Sequence, residues 1–197
     1  MMPFDFKAPV TTTVISPSKL AHVVLRTSNL QPVLDYYLAF LGAQIVHQNE
    51  MIAFLTYDDE HHRIALIRVP ETASQSPPAS RGLEHIAFSF NSLSELLLAY
   101  RQRKQLGMLP IWSVNHGPTT SIYYQDPDGN RIETQVDNFS NPGEATAFMA
   151  CEAFAENPLG TDFDPEEWIA RLERGEAEQV LMKRVESGPR GLPDYMK

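Results

Sequence analysis

The segment Leu20-Ala21-His22-Val23 returns as Leu83-Glu84-His85-Ile86, 63 residues on (85 − 22), and Arg63-Ile64-Ala65 returns as Arg131-Ile132-Glu133, 68 residues on (133 − 65). Two such echoes constrain the chain to be a duplicated unit, because each copy must bury the same apolar pattern against the same kind of neighbour. The echo breaks at one position. Both copies open on a histidine, but only the second closes on a carboxylate, Glu133, where the first has Ala65. Two imidazoles and one carboxylate are the composition of a facial metal-binding triad that leaves up to three adjacent positions open, as non-haem Fe(II) chemistry with a substrate and O2 requires.

The hydrophobic pattern gives each copy the order β-α-β-β-β. Residues 19–27 alternate as a strand, with Leu20, His22 and Val24 on one side. Ser28 or Asn29 can cap a helix whose period runs through Leu30, Leu34, Tyr37, Leu38 and Leu41 and which Gly42 ends. Residues 43–48, 51–57 and 63–69 read as strands. Residues 70–81 hold three prolines and three serines without periodicity, and read as a linker. The order then repeats: a strand at 83–90, a capping box of Ser92 with Glu95 opening a helix to Gly107, and strands at 110–115, 120–125 and 131–136. Asp126-Pro127-Asp128-Gly129-Asn130 is a strong turn signal between the last two.

The expected fold is α+β: two tandem β-α-β-β-β modules forming a curved mixed sheet around a metal cleft, followed by a helical C-terminal tail. The expected boundaries are an arm at 1–16, modules at 17–70 and 82–140, a linker at 71–81, and an extension at 141–197. Within the extension, Asp164 can cap a helix with Pro165 in its first turn, running to about Arg174, and 176–186 reads as a second. This part has no counterpart in the repeat and is expected to pack on the sheets or on a second subunit.

Composition removes several function classes. The formal charge of −9 and pI near 5.1 argue against nucleic acid or an anionic membrane surface as a partner. No apolar run approaches the roughly 20 residues that span a bilayer, and the N-terminus lacks a signal-peptide pattern. The single cysteine, Cys151, cannot form an internal disulfide, so a reduced, cytoplasmic protein is expected.

Other residues can carry chemistry beside His22, His85 and Glu133. In the pair His61-His62, before the last strand of the first copy, a histidine can act as acid–base catalyst near neutral pH, although the same residues suit a solvated turn. His116 ends one strand and Tyr123 lies in the next, so a hairpin can place both over the metal face, to hydrogen-bond an oxyanion. Phe54, Ile111, Trp112 and Ile122 are candidates to line a pocket, or to belong to the core.

These residues resemble the vicinal-oxygen-chelate superfamily and, within it, the one-domain type I extradiol ring-cleaving dioxygenases. The resemblance rests on 20–25 around His22, on 82–88 around His85, and on 123–133, which follows a Tyr-x-x-Asp-Pro-x-Gly-x-x-x-Glu pattern; it covers about 17–138. In His62-Arg63-Ile64-Ala65-Leu66, the histidine three places before Ala-Leu resembles the family's second-sphere histidine. The resemblance implies His22, His85 and Glu133 as metal ligands, and His62, His116 and Tyr123 as catalytic residues. Two departures stand out: the stretch from His116 to Tyr123 is slightly short, and the segment after Val69 is long, which makes His61 the reserve for the role of His62.

The implied activity is Fe(II)-dependent extradiol cleavage of a catechol-type diol with O2, with Mn(II) as the alternative metal and a homodimer or higher homo-oligomer as the assembly. The alternatives are a glyoxalase-like isomerase or transferase, and a non-catalytic small-molecule binder. A glyoxalase-like site would take a further ligand at Ala65, where neither Ala65 nor its neighbours Ile64 and Leu66 can bind a metal.

Overall fold

The structure is a computed structural model that describes residues 14–72 and 82–193. The expected arm and linker therefore lie largely outside the described residues. The first module contains β1 (Val23–Thr27), α1 (Leu30–Leu41), β2 (Gln44–Gln48), β3 (Ile52–Thr56) and β4 (Ile64–Arg68). The second contains β5 (Ile86–Ser89), α2 (Leu93–Gln105), β6 (Trp112–Asn115), β7 (Thr119–Gln125) and β8 (Arg131–Asp137). The extension adds α3 (Pro142–Met149), α4 (Glu152–Glu156), β9 (Thr161–Asp162), α5 (Pro165–Glu173) and α6 (Glu178–Met182). None of the described helices is long and apolar enough to cross a membrane.

The class is α+β, and the strands form two mixed sheets rather than one, ordered β1-β4-β3-β2 and β5-β8-β7-β6-β9. In each module the first strand lies parallel to the last, and the remaining pairs are antiparallel. The register reproduces the sequence echo. Val24 and Phe54 flank Ala65 in the first sheet, as Ala87 and Tyr123 flank Glu133 in the second. Phe54 is thus the structural counterpart of Tyr123.

The helices carry the echo further. The buried stripe of α1 is Leu30, Val33, Leu34, Tyr37 and Phe40; that of α2 includes Leu93, Leu96, Leu97, Tyr100 and Arg103, each 63 places on (93 − 30). Only the last position changes character. The Arg103 guanidinium lies 3.9 Å above the Phe40 ring and donates to the Phe40 carbonyl at 3.0 and 2.9 Å. A residue that touches its own counterpart lies beside the pseudo-twofold axis, so the axis passes between these two side chains. Tyr37 also crosses between modules, donating its hydroxyl to Asp126 at 3.2 Å. Buried residues of both modules, with Trp168 and Leu181 of the extension, form one hydrophobic core.

Several boundaries differ from expectation. The opening strands begin at Val23 and Ile86 rather than at 19 and 83, so His22 and His85 stand just before their strands. The cause is the partner strand: pairing with β4 starts at Ile64, and the carbonyls of Leu20 and Ala21 are taken by the Arg63 guanidinium at 2.9 and 3.0 Å instead of a ladder. β6 begins at Trp112, after Pro110, which has no N–H to donate. The capping box is half made: the Ser92 hydroxyl accepts from Glu95 N at 3.1 Å, but the Glu95 carboxylate accepts from Asn91 N at 3.0 Å. In the extension, α5 starts as expected, with the Asp164 side chain accepting from Glu166 N. The helix expected at 176–186 shrinks to α6, because Lys183 turns extended. α3, α4 and β9 were not anticipated. β9 pairs with β6 and covers that edge of the second sheet, whereas the five residues of β2 at the matching edge are all exposed.

Candidate active site

The second sheet builds the better-defined half of the site. Directly opposed residues on neighbouring strands share a face, so Glu133 on β8 and Tyr123 on β7 project together. His85 precedes Ala87, the partner of Glu133, by two residues and falls on the same face. His85 Nε2 lies 3.0 Å from Glu133 Oε2. The bond to Glu133 raises the His85 pKa against the opposing effect of burial. Burial pushes Glu133 up, but hydrogen bonds from His85 and Ser121 and the charge of His85, with the Tyr123 hydroxyl also within reach, outweigh it and hold its carboxyl below the ordinary range. Both directions favour an ionised pair.

His116 follows the end of β6. Its Nε2 lies 2.9 Å from the Tyr123 hydroxyl, and its Nδ1 lies 2.7 Å from the Leu159 carbonyl of the extension. Burial is the main force pushing the His116 pKa below its ordinary value of 6.5. Trp112 stacks on Tyr123 at 5.1 Å, and its indole N–H donates to Asp162 at 2.7 Å. Asp162 is in turn paired with Arg190.

The first sheet carries a second, mostly aromatic group. The His22 ring lies 4.3 Å from His62, and His62 stacks at 4.9 Å on Phe54. His61 turns away and bonds Glu60 at 2.8 Å, so His62 rather than His61 faces His22. Burial, then the neighbouring His22 and His61, push the His62 pKa down. Each opening histidine is preceded by a segment held by an equivalent arginine. Arg63 grips the carbonyls of Leu20 and Ala21, and Arg131 is ion-paired with Glu84.

The structure thus brings His85, Glu133, Tyr123 and His116 together, and sets His22 and His62 in a separate group. Among the described residues, no three His, Cys, Asp or Glu side chains form a group that could hold a metal ion. His22 lines a cavity of about 90 Å³ between the modules, together with Ile86 and Ala87. That is smaller than the roughly 300 Å³ at which ligand pockets begin, and marks the seam where the two opening strands meet. Of the candidate pocket residues, Trp112 and Phe54 stand at the two groups, while Ile122 lies in the core.

The donor set can be tested against a metal on these contacts. Ligand bonds of roughly 2.1 Å at right angles place neighbouring donor atoms about 3 Å apart, the spacing found between His85 and Glu133. Two nitrogens and a carboxylate oxygen suit Fe(II) and Mn(II). His85 Nδ1 is buried with no partner among the described residues. Sequence reasoning did not find the Leu159 carbonyl, Asp162 or Arg190 as parts of this site. A backbone carbonyl leaves no residue-type signal, although the repeated Arg63 and Arg131 were visible as part of the echo.

The family described as "Glyoxalase/Bleomycin resistance protein/Dioxygenase superfamily" matches residues 19–134. The chain is 45% identical over 147 residues to a Rhodococcus globerulus protein named "Biphenyl-2,3-diol 1,2-dioxygenase 2", covering 75% of this chain and 77% of that protein. It is 41% identical over 168 residues to "Biphenyl-2,3-diol 1,2-dioxygenase 3" of the same organism, covering 85% and 88%. The crystal structure of a glyoxylase/bleomycin resistance protein/dioxygenase domain from Frankia sp. EAN1pec superimposes with a TM-score of 0.52 at 17% identity, over 62% of this chain and 99% of that one, a likeness of fold. With its paired modules, their matched registers and a family match over most of both, the chain belongs to the glyoxalase/bleomycin resistance protein/dioxygenase superfamily.

Proposed function

We propose that the protein is an extradiol dioxygenase that opens the ring of a catechol-type diol beside its two hydroxyl groups, inserting both atoms of O2. The observation that carries this reading is the convergence of His85, Glu133, Tyr123 and His116 on one sheet face, in a chain 45% and 41% identical to two proteins named as biphenyl-diol dioxygenases. His85, Glu133 and His22 would hold Fe(II), or Mn(II) with the same ligands. His22 enters as the counterpart of His85 and as a residue lining the same small cavity as Ala87, the register partner of Glu133. When bound, the metal supplies the Lewis acidity that favours the catecholate and a redox centre for O2.

The protein's own residues do the rest. Tyr123, held in place by His116 Nε2, orients a substrate oxygen through a hydrogen bond. His62, whose proton affinity is lowered by burial, holds or passes a proton on the opposite side of the cleft. Trp112, stacked on Tyr123, walls the site and excludes water. Ala65, buried beside Phe54, offers no further ligand, which favours ring cleavage over a glyoxalase-like isomerisation. The same reading takes 17–70 and 82–140 as the modules and 141–197 as the extension. It also carries a reduced cytoplasmic setting, supported by the lone Cys151, and a homo-oligomer, supported by the uncovered edge of β2.

The test is anaerobic reconstitution with Fe(II), then air and a panel of catechols. The expected result is the yellow absorbance of a ring-opened semialdehyde. A chain that retains Fe(II) but opens no catechol in the panel rules the reading out.

A further inference from the structure

The Tyr123 hydroxyl has one hydrogen and stands within reach of two acceptors, the Glu133 carboxylate and His116 Nε2. Which acceptor receives it is decided on the far side of the imidazole. His116 Nδ1 lies 2.7 Å from the Leu159 carbonyl, which can only accept. That contact is a hydrogen bond only if Nδ1 carries the hydrogen. A neutral imidazole then has none on Nε2, and the 2.9 Å contact to Tyr123 requires the phenol to be the donor. If the phenol turned to Glu133 instead, lone pairs on Tyr123 and on His116 Nε2 would face each other inside a buried site.

The Leu159 carbonyl is built into place. Gly160 follows it at φ +92°, and a Cβ there would stand 2.1 Å from the Asn115 carbonyl oxygen and 2.7 Å from His116 Cα. Only glycine lets the extension approach β6 this closely. Asn157 closes the loop by accepting from Gly160 N at 2.9 Å and donating to Gly160 O at 3.1 Å. The Arg184 side chain, 1% exposed, donates to the carbonyls of His116 (3.1 Å), Asn157 (2.8 Å) and Ala153 (3.0 Å), joining both sides of the contact.

We propose that the C-terminal extension sets the tautomer of His116: the Leu159 carbonyl holds the hydrogen on Nδ1, so Tyr123 donates to Nε2 and presents its own oxygen to the cleft as an acceptor. Leu159, Gly160 and Arg184 are positioning residues in this arrangement. The consequence for substrate, which rests on the dioxygenase reading, is that Tyr123 receives a hydrogen bond from a protonated hydroxyl rather than donating to an oxyanion. That reverses the role the sequence suggested for the phenol. It also makes the site selective for a diol that keeps one hydroxyl hydrogen, against a mono-methyl ether that has none at that position.

The test reads the tautomer directly, on full-length, metal-free, ¹⁵N-histidine-labelled protein, with His116 assigned by its absence in His116→Gln. Long-range ¹H–¹⁵N correlation is expected to show Nδ1 protonated and Nε2 unprotonated. Tyr123→Phe is expected to leave this pattern unchanged, because the carbonyl and not the phenol determines it. Gly160→Ala, which pushes the carbonyl away, is expected to shift His116 toward the Nε2-protonated form. A wild-type His116 protonated on Nε2 overturns the proposal, as does reversal in Tyr123→Phe or an unchanged pattern in folded Gly160→Ala. If Gly160→Ala does not fold, the wild type and Tyr123→Phe decide. None of these readings depends on metal or turnover, so a failure to open catechols bears on the dioxygenase reading alone.

Discussion

The two modules share a skeleton and differ in chemistry at matched positions. Phe54 and Ala65 stand in the first sheet where Tyr123 and Glu133 stand in the second. Trp112, paired with Tyr123, has His47, paired with Phe54, as its counterpart. The β6 edge is covered by β9, and the β2 edge is open. Duplication therefore supplied the frame twice, while the carboxylate, the phenol and the supporting extension were gathered on the second copy. The first copy retains its histidines and an otherwise apolar face. An asymmetric site of this kind needs fewer protein ligands than a symmetric one and leaves room for substrate.

The hardest test of that comparison acts at its central pair. Glu133→Ala is expected to lower Fe(II) affinity by more than the roughly 10–100-fold typical of losing an outer partner, because it removes a proposed ligand. Ala65→Ser, at the matched position, is expected to leave affinity within about twofold. Metal analysis after gel filtration reads both. Full metal occupancy in Glu133→Ala breaks the assignment of the second module as the metal-bearing one.

The pseudo-axis offers the next contrast. Arg103→Ala removes the stack on Phe40 and the two bonds to its carbonyl, at an expected cost of about 3 kcal/mol. Arg103→Met keeps most of the packed volume but loses the guanidinium, with its bonds and its charge over the ring, for about 1 kcal/mol. Urea midpoints at constant m-value separate the two contributions. Equal losses would mean that the bonds and charge of the guanidinium, rather than packing, hold the modules together.

A smaller effect carries a sign that distinguishes His85 from Glu133. His85 is raised above 6.5, so its contribution to folding is complete below that value and is lost as pH rises through the folded pKa. Glu133 is lowered below 4.5, so its contribution is present above 4.5 and is lost as pH falls through its own folded pKa. Metal-free protein is therefore expected to weaken on both sides of a mildly acidic window, and His85→Asn to lose the alkaline decline. An unchanged decline in His85→Asn would assign it to another group.

The paired arginines come next. Arg63→Ala and Arg131→Ala are each expected to weaken metal binding by about tenfold, by loosening the segment before an opening histidine. Lysine sharpens the contrast. Arg131→Lys can keep a single ion pair with Glu84, whereas Arg63→Lys cannot reproduce a fork that reaches two carbonyls and Asp58. Titration with Fe(II) is expected to show rescue in the second module only. Equal rescue would mean that charge alone suffices at Arg63.

The repeat made much of this legible in the sequence. The spacing of His22 and His85 and the Ala65–Glu133 mismatch were readable because registers are set by the same buried stripes in both copies. The helices were readable for the same reason, from Leu30 and Leu34 to the Gly42 stop, where φ is +61°. What escaped depends on partners distant in sequence. Alternation at 19–22 looks like a strand, but β4 offers no backbone there. β9 is two residues long and exists because β6 has a free edge. The grip of Leu159 on His116 is a backbone contact across 43 residues, with Gly160 as its only residue-type trace.

The helix starts give the finest comparison. Asn29 and Ser92 occupy matched positions before α1 and α2, and both are good capping residues. The Ser92 hydroxyl accepts from Glu95 N, but Asn29 makes no side-chain cap, and its own N–H is taken by the Thr27 hydroxyl at 3.0 Å. Ser92→Ala is therefore expected to cost about 1 kcal/mol, and Asn29→Ala only a few tenths, because no capping bond is lost. Thermal and urea unfolding at matched pH measure both. A full capping loss at Asn29 would mean that its side chain turns to the helix in solution, and that the two modules begin their helices alike.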